Sequence, residues 1–128
     1  MERVLVVDDS EDVLDLLRLQ LEGIGYVIDT ATDGSAALEI AQHTRPDIIV
    51  SDLRMPDTDG LEFIRRVRGI QSLASIPAIA LTGTAFESEI HQAIFNGFTV
   101  HLKKPVEASE LYRLIEQLTR RCSQRQAS

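Results

Sequence analysis

An uninterrupted run of β-branched residues in the middle of the sequence ends at an aspartate. Residues 48–50 read Ile-Ile-Val with no polar alternation, which is typical of a strand buried on both faces. Asp52 follows, and then a proline and an Asp-Gly pair that favour a loop. In open parallel sheets, ligands bind at the edge formed by the carboxyl ends of the strands. Taken alone, Asp52 is explained equally well as a functional residue at that edge or as a solvated strand end.

A strand followed by a helix occurs five times along the chain. Strands are predicted for the apolar runs at residues 4–7, 26–28, 47–51, 76–81 and 98–102. Each is followed by a segment whose apolar residues recur at helical spacing. This alternation predicts an α/β fold, in which right-handed crossovers build a parallel sheet with helices on both faces. The runs at 4–7 and 48–50 are the most apolar, so we expect both to be central strands.

The length of 128 residues predicts one domain. We expect it to span residues 1–121, with 122–128 forming a frayed polar tail or linker remnant. A net charge of −7 argues against a nucleic-acid surface, and the single Cys122 excludes an internal disulfide framework. No apolar run approaches the roughly 20 residues of a membrane span, and the N-terminus lacks a secretory pattern. These features favour a cytoplasmic protein that binds neither nucleic acid nor membrane directly.

Polar side chains follow the predicted strands at several ends. Asp8 and Asp9 follow the first strand, Asp52 the third, Thr82 the fourth and Lys104 the fifth. All these ends lie on one edge of a parallel sheet, so we expect the side chains to meet there. Clustered carboxylates repel one another, so they cannot all ionise at low cost unless a cation lies among them. A few oxygen ligands that leave room for water suit Mg²⁺. A lysine and a hydroxyl can then hold a phosphoryl group that a carboxylate attacks.

This combination resembles the receiver domain of two-component response regulators over essentially the whole length. The resemblance is carried by residues 4–9, 52–60, 81–83 and 103–105. It implies a five-stranded parallel sheet of order 2-1-3-4-5, the flavodoxin-like doubly wound order. It also implies a phosphoacceptor module of a phosphorelay. Such a module promotes its own phosphorylation and dephosphorylation and is not a classical turnover enzyme.

The resemblance assigns a role to each residue of the acidic pocket. Asp52 would accept a phosphoryl group from a sensor histidine kinase or a histidine phosphotransfer protein. Asp9 and Asp52 would bind Mg²⁺ directly, Asp8 would bind it through water, and the backbone carbonyl of Arg54 would be a further ligand. Lys104 would pair with the phosphate.

A conformational switch is also implied, in which the Thr82 hydroxyl moves to hydrogen-bond the phosphate. His101 stands where the family usually has tyrosine or phenylalanine. A histidine at this position resembles the receivers that are attached to hybrid histidine kinases. It either couples Thr82 to the face formed by the fourth helix, the fifth strand and the last helix, or is an ordinary core or surface histidine. The protein would be a monomer or a weak dimer formed through the same face. The identity of the downstream effector stays open.

Three other classes of protein share part of this pattern. An aspartyl phosphohydrolase needs a second acid two residues after the nucleophile, where this chain has Arg54. A flavin-binding protein of the same fold needs a hydroxyl-rich loop after the first strand, where this chain has Asp8 and Asp9. A receiver fold used only for docking would not need the acidic pocket. Elsewhere, we expect Arg65, Arg66 and Arg68 to form a solvated helix face.

Overall fold

The computed structural model describes residues 2–53, 59–83 and 87–127, with side chains described up to residue 119. Its five strands form one parallel sheet of order β2-β1-β3-β4-β5, so the predicted fold class is confirmed. The strands are β1 (Arg3–Val7), β2 (Val27–Ala31), β3 (Ile48–Asp52), β4 (Ala78–Thr82) and β5 (Val100–Lys103).

Five helices connect or follow the strands. They are α1 (Glu11–Ile24), α2 (Gly34–Thr44), α3 (Gly60–Gly69), α4 (Glu87–Asn96) and α5 (Ala108–Ala127), with a 3₁₀ turn at Gln71–Leu73. Every predicted element is present, with boundaries that differ by a few residues. Strand β4 begins after Pro77, which has no amide hydrogen to donate to the sheet. Within the described part of the chain, no helix is both long and apolar enough to cross a membrane.

The sheet separates two hydrophobic clusters, which explains the missing alternation in its central strands. In β1, Val4 and Val6 pack with α1 and α5, whereas Leu5 and Val7 pack with α2, α3 and α4. Residues 48–50 of β3 are completely buried in the same way. Strand β3 lies at the centre of the sheet with β1 beside it, as the apolar runs predicted.

The C-terminal segment differs from the expected irregular tail. Helix α5 continues through Cys122 to Ala127. Residues 108–127 contain neither glycine nor proline, so no residue in this stretch is a strong helix breaker. The domain boundary after residue 121 stays a prediction.

Arg68 corrects the prediction of a solvated arginine face on α3. Arg65 and Arg66 are exposed, but Arg68 is half-buried at the end of the helix. Its guanidinium donates hydrogen bonds to the carbonyls of Gly97 (2.9 Å), Ala74 (3.1 Å) and Ile76 (2.6 Å), and a longer one to Leu73 (3.4 Å). This side chain therefore joins α3 to the turn before β4 and to the turn after α4.

Candidate functional site: an acidic pocket at the carboxyl edge of the sheet

The side chains predicted to meet at the carboxyl edge do so. Asp52 is the last residue of β3 and Thr82 the last residue of β4, whereas Asp8 and Lys104 follow directly after β1 and β5. Asp8 is fixed on both sides, because its amide donates to the Ala31 carbonyl (3.1 Å) and its carboxylate accepts from the Ser10 amide (3.0 Å).

Three carboxylates form the acidic part of the pocket. One oxygen from each of Asp8, Asp9 and Asp52 lies within 4.8 Å of the others. Asp8 and Asp52 are buried, with exposed fractions of 1% and 7%, whereas Asp9 is exposed. Loss of hydration, the hydrogen bond with Asp8 and repulsion by Asp8 and Asp52 together raise the pKa of Asp9. The three carboxylates therefore form a site of negative charge that contains no positive group of its own.

Lys104 supplies the positive charge that faces this cluster. Its ammonium donates to Asp52 Oδ2 (2.9 Å) and to Asp8 Oδ2 (3.1 Å). Burial by itself lowers the pKa of Lys104, but the hydrogen bonds and charges of Asp52 and Asp8 outweigh it and raise the pKa above its usual value. The Lys104 amide also donates to the Thr82 carbonyl (2.7 Å), which fixes the backbone after β5 to the end of β4.

Thr82 has a buried hydroxyl that makes no hydrogen bond with any described residue. The side chain is 1% exposed. It borders a cleft of about 190 Å³ lined by Asp52, Leu53, Leu81, Thr82, Gly83, Glu89 and Lys104. Leaving a buried hydroxyl without a partner costs about 1–3 kcal/mol. An oxygen atom entering the cleft would supply the missing partner.

Gly60 brings helix α3 into direct contact with the backbone of Asp52. A Cβ at Gly60 would lie 2.5 Å from the Asp52 carbonyl oxygen and 2.7 Å from Leu53 Cα, so only glycine fits. The Gly60 amide donates to the Leu53 carbonyl (2.8 Å), and Asp59 caps the helix by accepting from the Glu62 amide (2.8 Å). Gly60, predicted as a loop residue, is the first residue of α3, and its lack of a Cβ lets the helix approach the backbone of Asp52 closely.

The sequence of the whole domain matches a known family. Residues 4–116 match the family model described as the response regulator receiver domain. The chain belongs to this family. Receiver domains are signalling modules that interact with histidine kinases, and the resemblance drawn from the acidic motifs is confirmed.

The receiver is similar to proteins of several bacteria. It is 43% identical over 114 residues to a 14.6 kDa protein of Leptolyngbya boryana, covering 89% of this chain and 87% of that one. The structure of the Vibrio cholerae chemotaxis protein CheY4 superposes with a TM-score of 0.88 and 33% identity, covering 92% and 98%. The receiver domain of the sensor histidine kinase PA1611 of Pseudomonas aeruginosa, with a magnesium ion in its active-site cleft, gives 0.86 and 28%, covering 92% and 97%.

The receiver spans about half the length of other curated relatives that it matches, among them transcriptional regulators. In those proteins the matched domain is therefore one part of a longer chain.

The two remaining predicted site residues are Arg54 and His101. Arg54 lies outside the described residues. His101 is exposed on β5, next to Ala80 of β4 in register. Because side chains alternate along a strand, His101 and Thr82 lie on the α4 side of the sheet, opposite Leu102 and Leu81. One reading of the sequence placed His101 in the core, and this is wrong because the side chain is exposed.

Glu89 is a cleft residue that the sequence reasoning did not identify. It lies in the first turn of α4, half-buried, and lines the cleft together with Asp52, Thr82 and Lys104. The position of Glu89 beside the cleft could have been predicted from the sequence. A helix that starts soon after the end of a strand places its first turn beside the carboxyl edge of the sheet.

Proposed function

We propose that this receiver accepts a phosphoryl group on Asp52 from a phosphohistidine of a sensor histidine kinase or of a histidine phosphotransfer protein. The observation that carries the proposal is the bridge made by Lys104 between Asp52 and Asp8. A buried carboxylate at a strand end, a lysine in contact with it and a buried hydroxyl across the cleft, with no partner among the described residues, are suited to a phosphorylated carboxylate. A purely structural ion pair would not need Asp9 or the Thr82 hydroxyl.

The reaction is a phosphoryl transfer between two protein side chains. An oxygen of the Asp52 carboxylate forms a bond to phosphorus, the bond to the histidine nitrogen breaks, and the nitrogen leaves with the electron pair. Such transfers depend mainly on positioning and on neutralising the charge spread over the phosphoryl oxygens. The Lys104 ammonium lies 2.9 Å from Asp52 and is suited to that task. The module would promote its own phosphorylation and dephosphorylation and would not act as a classical turnover enzyme.

The acidic cluster fits Mg²⁺, which we propose as the cofactor. Three carboxylates within 4.8 Å of one another are hard oxygen donors. Loss of hydration, the hydrogen bond with Asp8 and repulsion by Asp8 and Asp52 raise the pKa of Asp9. Asp8, Asp9 and Asp52 would hold the ion, together with the carbonyl of Arg54. When bound, Mg²⁺ would neutralise negative charge on the pocket and the phosphoryl oxygens.

The proposed switch starts at Thr82. Phosphorylation would place about two negative charges where Asp52 had one. The Thr82 hydroxyl, which has no partner among the described residues, would turn to hydrogen-bond a phosphoryl oxygen. His101 lies on the same side of the sheet one strand away, so we propose that it transmits this change to the face formed by α4, β5 and α5. We propose that the receiver acts in the cytoplasm as a monomer, or as a weak dimer through that face, and that it does not contact nucleic acid directly.

Mass spectrometry of the intact protein tests this function. Incubation with acetyl phosphate and Mg²⁺ should add one phosphoryl group to the wild-type chain and none to Asp52→Asn. Asp15→Asn is a matched control because Asp15 is exposed on α1, away from the pocket. The control should be labelled as efficiently as the wild type. Equal labelling of Asp52→Asn would contradict the assignment, and a fold used only for docking would not be labelled at all.

A further inference from the structure

Asn96 and Gly97 form the turn at the end of α4. Asn96 is the only asparagine in the chain, and a glycine follows it directly. Asparagine is a chemically labile residue. It reacts most easily before glycine, because no Cβ on the next residue hinders the backbone nitrogen that attacks the side-chain amide. Both residues are half-buried, so this reactive pair lies where water can reach it.

The reaction open to such a pair is an intramolecular substitution followed by hydrolysis. The Gly97 amide gives its proton to a base in solution, and its nitrogen bonds to Cγ of Asn96. The bond from Cγ to Nδ2 then breaks, and Nδ2 takes a proton and leaves as ammonia. Water opens the resulting succinimide at either of its two carbonyl–nitrogen bonds. The products are aspartate or isoaspartate at position 96, and in isoaspartate the main chain runs through the side-chain carbons.

The nucleophile of this reaction is engaged in the cap of α4. The Gly97 amide donates to the Ile94 carbonyl (3.1 Å), and the Phe98 amide donates to the Ala93 carbonyl (3.0 Å). These two bonds form a Schellman motif, which needs a left-handed residue and has one in Gly97, with a φ of +130°. The nitrogen that would attack is therefore held in a closed turn.

The electrophile is directed away from that nitrogen. Asn96 Nδ2 donates to the Gln92 carbonyl (2.7 Å), which lies one helical turn back along α4. Cyclisation would have to break this bond and the bond of the Gly97 amide, and it would have to move Asn96 out of the helix. The reaction therefore requires the last turn of α4 to open.

Arg68 holds this turn closed from the neighbouring helix. Its guanidinium donates to the Gly97 carbonyl (2.9 Å), and the same group is fixed on its other side by the carbonyls of Ala74 and Ile76. A hydrogen bond from a charged donor is roughly twice as strong as one between neutral groups. Opening the turn must break the bond between Arg68 and Gly97, so this bond opposes the reaction of Asn96.

We propose that Asn96 is a site of deamidation by water, and that Arg68 controls its reactivity by keeping the turn at Gly97 closed. The inference goes beyond the proposed phosphorylation of Asp52 and does not depend on it. Deamidation would place a carboxylate at the C-terminal end of α4, where the helix dipole disfavours negative charge. Isoaspartate would also lengthen the main chain and displace the Gly97 carbonyl from Arg68. The modification would thus weaken the contact between α3 and α4 irreversibly.

Ageing of the full chain in warm, mildly alkaline buffer tests the proposal. Because the chain has one asparagine, the mass gained when an amide NH₂ is exchanged for OH reports on position 96, and chromatography separates aspartate from isoaspartate peptides. The wild type in urea gives the rate of the open chain. The folded wild type should react on the order of 100-fold more slowly, because it must first open locally. Arg68→Met should raise the folded rate on the order of tenfold, since the closed turn loses a charge-assisted bond.

Two control variants separate local closure of the turn from general stability. Arg66→Met removes an exposed arginine of the same helix, whose partner is Glu62, and should keep the wild-type rate. Leu17→Ala creates a cavity in the hydrophobic cluster on the opposite side of the sheet, and its loss of stability should be comparable to that of Arg68→Met. It should also keep the wild-type rate, because the turn at the end of α4 is intact. Urea denaturation checks the stability of each variant.

Hydrogen exchange of the Gly97 amide gives a second measurement of the same opening. It should accelerate in Arg68→Met by the same factor as deamidation, and it should not change in Leu17→Ala. The proposal would be overturned if folded Arg68→Met aged at the wild-type rate, or if Leu17→Ala accelerated as much as Arg68→Met. A folded wild type that reacts as fast as the chain in urea would overturn it as well.

Discussion

Lys104 and Arg68 are both half-buried cations, yet their surroundings differ in kind. Lys104 lies at the carboxyl edge of the sheet and donates to the carboxylates of Asp8 and Asp52. Arg68 lies in the last turn of α3 and donates to the backbone carbonyls of Leu73, Ala74, Ile76 and Gly97. The charges of its partners raise the pKa of Lys104, whereas burial lowers the pKa of Arg68.

These surroundings suit Lys104 to a role in a reaction and Arg68 to a role in stabilising the fold. Carboxylates carry charge that a metal ion or a phosphoryl group can use, so the contacts of Lys104 can be exchanged during a reaction. Carbonyls are neutral and belong to fixed turns. At Gly97, which has a φ of +130°, a Cβ would lie 2.8 Å from Arg68 Cγ, so the turn and the arginine fit each other closely. Arg68 should therefore affect stability, and Lys104 should affect phosphorylation.

The largest expected effect is on the rate of phosphorylation. Lys104→Met should slow labelling by acetyl phosphate on the order of 100-fold, the usual loss when one positioned group that stabilises developing charge is removed. Arg68→Met should leave the rate little changed, because the hydrogen bonds of Arg68 with described residues go to Leu73, Ala74, Ile76 and Gly97, none of which lines the pocket. Initial rates from intact mass measure both. A comparable loss in the two variants would mean that the lysine acts only by maintaining the fold.

Stability should respond in the opposite way. Arg68→Met should lower the free energy of unfolding by about 2–4 kcal/mol, because several carbonyls lose a charged donor. Arg68→Lys should recover little of this, since an ammonium cannot reproduce the planar fork of a guanidinium. Arg66→Met is the control, as it removes an exposed pair with Glu62 that should contribute about 0.3–0.5 kcal/mol. Urea denaturation measures all three, and equal losses for Arg66 and Arg68 would refute the structural role.

Asp9 tests whether the pocket carries charge that awaits a cation. Asp9→Asn should weaken Mg²⁺ binding on the order of 10- to 100-fold, as for other groups that support a metal site. Without Mg²⁺ the variant should be slightly more stable, because repulsion from Asp8 and Asp52 is relieved. Mg²⁺ titrations followed by amide spectra, with Asp15→Asn as the control, measure the change. An unaltered titration would remove Asp9 from the site.

A smaller change in the free energy of unfolding should distinguish the buried threonines Thr82 and Thr119. The Thr82 hydroxyl has no partner among the described residues, whereas the Thr119 hydroxyl donates to the Ile115 carbonyl (2.7 Å). Thr82→Val should raise the free energy of unfolding by about 1 kcal/mol and Thr119→Val should lower it by a similar amount.

Thr82→Val should also remain phosphorylated while losing the spectral changes of β5 and α5 that a phosphate mimic causes in the wild type. Full wild-type changes in this variant would mean that coupling does not pass through Thr82.

The sequence predicted the pocket because strand ends are local features. Residues 48–50 lack alternation because both faces of β3 are covered, and a buried run that stops at Asp52 places the carboxylate at the sheet edge. The same logic locates Asp8, Thr82 and Lys104. It needs the order of the elements but not the details of their packing.

The roles of Arg68 and Gly60 depend on which elements lie side by side. Arg68 has the sequence context of a surface residue, and only the turn after α4 supplies its carbonyl partners. Gly60 resembles any loop glycine until α3 is packed against Asp52. Helical periodicity gives the face of a residue on its own helix, but not the group that a neighbouring segment presents to it.

The chemical identity of the phosphorylated residue is the most direct test of the central claim. Borohydride reduces an acyl phosphate to an alcohol, so treatment of the phosphorylated protein followed by peptide mapping marks the acceptor permanently. We expect a single reduced residue, at position 52, whose labelling depends on Mg²⁺ and on Lys104. Reduction at Asp8 or Asp9, or a phosphoryl group found on one of the histidines, would contradict it.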